Sequence, residues 1–120
     1  MILQTLMEKH YDLNFLREYY GEDLDAMKPL LQLYIEETPK EIHNIEKSLS
    51  GNDASGAKAA THKVKTNVTM MGIRNTSAFI DAMHKHKADA SVSEEVIQLF
   101  NPFKAAVLSA VDQLQKDFFG

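Results

Sequence analysis

The chain contains no cysteine among its 120 residues. Disulfides and thiolate metal sites are thereby excluded, which fits a reducing compartment. No apolar run approaches about 20 residues, so no membrane span is expected. The opening Met1-Ile-Leu-Gln-Thr-Leu-Met lacks the basic start and long apolar stretch of a signal peptide. A cytoplasmic location is therefore the expectation. There is no glycine-rich phosphate loop, hence no nucleotide site. No Ser/His/Asp set stands at a spacing that supports a triad, and the Glu-x-x-His pairs of di-iron bundles are missing. His84 and His86 are two apart and point to different sides of a helix, so no metal site is expected. The net charge of −4 carries no basic excess, so nucleic acid is not an expected partner. Strand signals, internal repeats and low-complexity segments are absent as well. The length suits one domain, residues 1–120, burying a single modest core.

What the sequence does have is apolar residues recurring at three and four, the period of amphipathic helices. Residues 1–10 read as a lead-in, a strand-like or helical cap on the helices after it. Asp12 is placed to cap a short helix over 13–19. Asp23 opens a long helix over about 23–50, carrying Leu24, Met27, Leu30, Leu31, Tyr34, Ile35, Ile42, Ile45 and Leu49. Thr38-Pro-Lys-Glu41 has the form of a capping box with proline at the first helical position. The segment is thus either one helix kinked near Pro39 or two helices joined there. Ser50-Gly-Asn-Asp53 is the clearest loop, and Asn52 or Asp53 caps a helix over about 53–71. A helix over about 75–87 buries Ala78, Phe79, Ala82 and Met83. Ser93 caps the last, over about 94–118, with Val96, Ile97, Phe100, Phe103, Val107, Leu108, Val111, Leu114 and Phe118 on its apolar side and Pro102 bending it. Long helices on short loops imply an all-α, antiparallel up-and-down four-helix bundle with a short additional N-terminal helix.

One helix carries chemistry. Wrapped at about 100° per residue, Ala57, Ala60, Val64, Val68 and Met71 share one face. His62, Lys58, Lys65, Thr66 and Thr69 share the other. Gly72 then breaks the pattern. An exposed imidazole is a competent nucleophile near neutral pH. Lys58 and Lys65, one turn to either side, favour a dianionic group on its nitrogen. Thr66 and Thr69 are small enough for a partner to approach and carry hydroxyl donors. Ala59 and Met70 form an apolar fringe, either a docking surface or a cover for the bundle seam. In the antiparallel arrangement His84 either faces His62 from the next helix or is a solvated surface residue. His10 and His43 have no comparable setting.

The string His62, Val64, Lys65, Thr66 and Gly72 resembles the signature of the histidine-containing phosphotransfer (HPt) domain family: His, any residue, an aliphatic, Lys, a small residue, and Gly ten positions after the His. The upstream Asp12-Leu-Asn-Phe-Leu, a glycine turn and the long apolar-periodic helix are similar too, so the likeness spans nearly the whole chain. Two departures are Thr66, where the family usually has glycine or another very small residue, and His84, where several members carry an amide bonded to the active imidazole. The resemblance implies a phosphocarrier rather than an enzyme. His62 is then the phosphoacceptor and Lys65 stabilises phosphoryl charge. Lys58, Thr66, Thr69, Gly72 and His84 are accessory, and Ala59 and Met70 serve docking. Implied partners are response-regulator receiver domains and a sensor or hybrid histidine kinase. The protein itself is expected to be a monomer with no cofactor of its own, Mg²⁺ belonging to the receiver. The rival readings are a bundle of the same fold that is never phosphorylated, a small bundle metalloprotein, and an isolated piece of a hybrid kinase.

Overall fold

The computed structural model describes residues 10–120. The lead-in expected over residues 1–10 lies almost wholly outside the described residues. In chain order the described helices are α1 (Asn14–Tyr20), α2 (Leu24–Ser50), α3 (Ala54–Met70), α4 (Ser77–Lys85) and α5 (Glu94–Phe119), with no strand among the described residues. Helices α2 to α5 close a ring in which each packs on its two neighbours. Cross-helix pairs give the antiparallel sense: Thr38 meets Asn67, Lys58 meets Met83 and His84, Phe79 meets Phe100 and Phe103, and Glu46 meets Lys104. The architecture is the all-α four-helix bundle expected, with α1 laid against α2 and α3.

The core follows from the spacing of the apolar residues. Helix α2 buries Met27, Leu31, Ile35, Ile42 and Ile45, and α3 buries Ala57, Ala60, Val64 and Val68. On α5 the buried stripe runs Val96, Phe100, Phe103, Val107, Ala110, Val111 and Leu114. Phe79 of α4 stacks on Phe103 at 4.6 Å between ring centres and meets Phe100 edge-on at 5.5 Å, geometries that aromatic quadrupoles favour. Ile97 and Leu108 lie one position off the α5 stripe, about 100° around the helix. Ile97 is accordingly exposed and Leu108 only half-buried, where the sequence pattern placed both inside. Leu24 and Ala78 are likewise exposed, each at the first turn of its helix.

The helix ends refine the sequence reading. Asp23, Asp53 and Ser93 each cap a helix by accepting a backbone N–H, from Ala26, Gly56 and Val96. Asn52, the other candidate cap, adopts φ 55° and accepts the Val92 N–H instead. The cap of α1 is Leu13, one residue later than expected. Asp12 instead closes a local turn by accepting the Asn14 N–H at 2.8 Å. Helix α2 is one helix, with Pro29 and Pro39 both inside it. The capping-box signal at Thr38 is not used, because Thr38 is fully buried and its hydroxyl accepts the Asn67 amide of α3. Cross-helix packing thus overrides a local start signal.

Gly72 closes the turn after α3 at φ 59°, where a side chain is disfavoured. A Cβ there would overlap the backbone carbonyl of Asp12. The approach is built by two backbone bonds, Asp12 N–H to the Met71 carbonyl and Arg74 N–H to the His10 carbonyl. Tyr11 adds a bond from its hydroxyl to Asp117 at 2.7 Å.

Candidate functional site

Helix α3 turns its small and β-branched residues inward, and that exposes the opposite face. His62, Lys63, Lys65, Thr66 and Thr69 are all exposed. A groove of about 480 Å³ lies between this face and α4, and His62 lines it together with Lys58, Ala59, Lys63, Lys65 and His84. On the α4 side it is lined by Ile80 and Met83, both buried, with Thr61 of α3 beside them. The Thr61 hydroxyl has no hydrogen-bond partner among the described residues. The lining holds three lysines and two imidazoles but no carboxylate. On a chain of net charge −4 this is a local cationic patch, and such patches attract anionic groups.

The structure sorts the sequence candidates. His62 and Lys65 form no hydrogen bond or ion pair among the described residues, so the imidazole and one ammonium stand ready for an incoming group. His84 shares the groove with His62, but the two rings are not hydrogen-bonded to each other. Thr66 and Thr69 are exposed on the same side but lie outside the groove lining, and Met70 is half-buried against the core. Ala59 is exposed in the groove wall. Gly72 lies at the far end of α3, where it shapes the turn.

Lys58 departs most from the sequence reading. Its side chain crosses to α4, where the ammonium donates to the backbone carbonyls of Met83 at 3.0 Å, His84 at 2.9 Å and His86. All three of its N–H donors are engaged, so it is not the free cation that its place one turn from His62 suggested. His86 turns away from the groove. Its Nε2 accepts the Ser93 N–H at 3.1 Å, and Nδ1 lies 2.8 Å from the Lys87 carbonyl. The first bond requires an unprotonated Nε2, so the neutral ring carries its proton on Nδ1 and donates to Lys87.

Sequence reasoning missed Thr61, Lys63 and Ile80 as groove residues. Ile80, Met83 and His84 fall at three and four on one edge of α4, and that spacing is the signal that marks them. Among the described residues no three His, Asp or Glu side chains gather as a metal site would need, and no helix is long and apolar enough to cross a membrane.

The Hpt domain family model matches residues 29–117 of this chain. The chain therefore belongs to the Hpt domain family, which places it among histidine phosphotransfer domains of two-component signalling. No curated protein and no solved structure matches it.

Proposed function

We propose that this protein is a phosphorelay carrier that accepts a phosphoryl group on His62 from one receiver-domain aspartate and passes it to another. The observation that carries the reading is the setting of His62: exposed, without a partner among the described residues, in a cationic groove lined by no carboxylate. An unprotonated imidazole nitrogen attacks the phosphorus of the aspartyl phosphate. The N–P bond forms, the P–O bond to the aspartyl carboxyl breaks, and the carboxylate leaves on the receiver. The second transfer reverses these roles on a new aspartate. Phosphoryl transfer is chiefly positioning and charge stabilisation. The receiver brings its acidic pocket and Mg²⁺. This chain brings the nucleophile, the Lys65 charge and a docking face that includes Ala59. It acts as a monomer in the cytoplasm, serving receivers and their kinase rather than catalysing alone.

The test is His62→Gln, which keeps a polar side chain of similar reach without a nucleophilic nitrogen. Transfer from a phosphorylated receiver in Mg²⁺, scored by intact mass at alkaline pH, should fall to background. Helix content and melting should stay nearly unchanged, since exposed positions away from caps usually shift stability by about 0.5 kcal/mol or less. Undiminished acceptance by the variant would sink the mechanism. A wild-type chain that binds receivers but never takes up phosphoryl would be the silent interaction module instead.

A further inference from the structure

We infer that Lys58 is a positioning residue: by holding the C-terminal turn of α4 against α3, it sets the Met83–His84 wall of the groove on which a phosphorylated receiver seats. The inference rests on the reading of His62 given above. The carbonyls in the last turn of a helix have no intrahelical donor, and they form the negative end of its dipole. Helix α4 is only 9 residues long, too short to be stable without tertiary support. Its N-cap, Thr76, makes no side-chain capping bond to the helix. At its other end no glycine closes the helix; His86 takes an extended conformation with φ −66° and ψ 139°. The His86 backbone N–H returns to the carbonyls of Ala82 and Met83, and the Lys58 ammonium adds a side-chain cap from the neighbouring helix, on the carbonyls of Met83, His84 and His86.

The residues after α4 are fixed at further points, at the start of α5 and in the turn that leads into α3. The His86 ring accepts the Ser93 N–H at the start of α5, and Asn52 in the α2–α3 turn accepts the Val92 N–H. Lys58 is the side chain of α3 that bonds this end of α4. It stands one turn before His62, so it fixes how high the Met83 and His84 wall rises beside the acceptor imidazole. An ammonium spent on three carbonyls is not spent on phosphate. Lys58 and Lys65 therefore do different work from the same face of one helix. Lys65 meets the charge of the phosphoryl group, and Lys58 meets the partner only through the surface it shapes.

The experiment compares Lys58→Met, which keeps the reach and loses the donors, with Lys58→Arg, which keeps donors and charge. The first readout needs no phosphoryl donor: amide exchange over residues 84–88 and the NMR signal of the His84 ring. In Lys58→Met those amides should exchange about tenfold faster as the turn opens locally, and the His84 signal should shift or broaden. The second readout is transfer from a phosphorylated receiver. KM should rise about threefold or more in Lys58→Met, with the phosphohistidine lifetime held within about twofold, and Lys58→Arg should restore KM. Unchanged amides and an unmoved His84 signal in Lys58→Met would overturn the inference. So would a collapsed lifetime at unchanged KM, which puts the ammonium on the phosphoryl group. A wild-type chain that takes up no phosphoryl defeats the reading of His62 alone, because the exchange and ring signals still decide whether Lys58 sets the wall.

Discussion

The turn that ends α3 and the exposed face around His62, midway along the helix, are built on opposite terms. At the α3–α4 turn the chain is closed on itself: Gly72 sits under the Asp12 backbone, Arg74 bonds the His10 carbonyl, the His10 N–H reaches Gln113, and Tyr11 reaches Asp117. Around His62 the polar groups point outward, and His62, Lys63 and Lys65 have no partner among the described residues. Folding stability is gained where polar groups and backbone are satisfied internally. A transfer site needs groups that are left unsatisfied until a partner arrives. His62 and Gly72 both lie within the residues that match the family, whereas His10, Tyr11 and Asp12 precede them; a substitution in the closed turn should be read in melting and one around His62 in transfer rate.

The closed end should break first and hardest. Gly72→Ala forces a Cβ onto φ 59° and into the Asp12 carbonyl. The backbone term alone costs about 1–2 kcal/mol, and displacing the 10–13 segment should bring the loss to about 3 kcal/mol. Urea unfolding measures this. Molecules that remain folded should still accept phosphoryl on His62, and loss of transfer in a fully folded variant would show that the two regions are not independent. Tyr11→Phe is the milder probe, removing one hydroxyl bond for about 1 kcal/mol. Burial and the Asp117 carboxylate hold the Tyr11 hydroxyl above its ordinary range. The folded state thus favours the protonated phenol. Its contribution is complete below about pH 10, the ordinary tyrosine value, and is lost as pH rises beyond that. Wild type should lose melting temperature more steeply than Tyr11→Phe across that alkaline window. Parallel curves would remove Tyr11 from the closure.

How much of this contrast the sequence disclosed depends on whether side chains or backbone carry it. Periodicity exposed the bundle, because burial acts on side chains and spacing records it. Asp23, Asp53 and Ser93 were legible as caps for the same reason. The exposure of His62 followed from the apolar stripe opposite. Lys58 was not legible, because its partners are backbone carbonyls 25 to 28 residues away, and every residue type carries a carbonyl. Thr38 misled in the reverse way: its local signal for a helix start is real, but the Asn67 amide across the bundle takes its hydroxyl. The Gly72 break was readable as a helix end, whereas the Asp12 backbone pressed on it is a long-range contact that no local pattern encodes.

The smallest effect on stability, and the finest test of the contrast, is Lys65→Ala. Lys65 is exposed and unpartnered among the described residues, so nothing inside the protein depends on its charge. Alanine is also the better helix former, by a few tenths of a kcal/mol. Melting should stay level or rise slightly, within about 0.5 kcal/mol. Phosphoryl transfer should slow or the phosphohistidine should shorten its life by a few fold, without either vanishing, because an exposed ammonium acts through screened attraction. That mechanism has its own signature. In wild type the transfer rate should fall as ionic strength rises, and in Lys65→Ala it should fall less steeply, because one of the attracting charges is already gone. A clear drop in melting temperature would make Lys65 part of the closed architecture after all. A rate with wild-type salt dependence would show that its charge never meets the phosphoryl group.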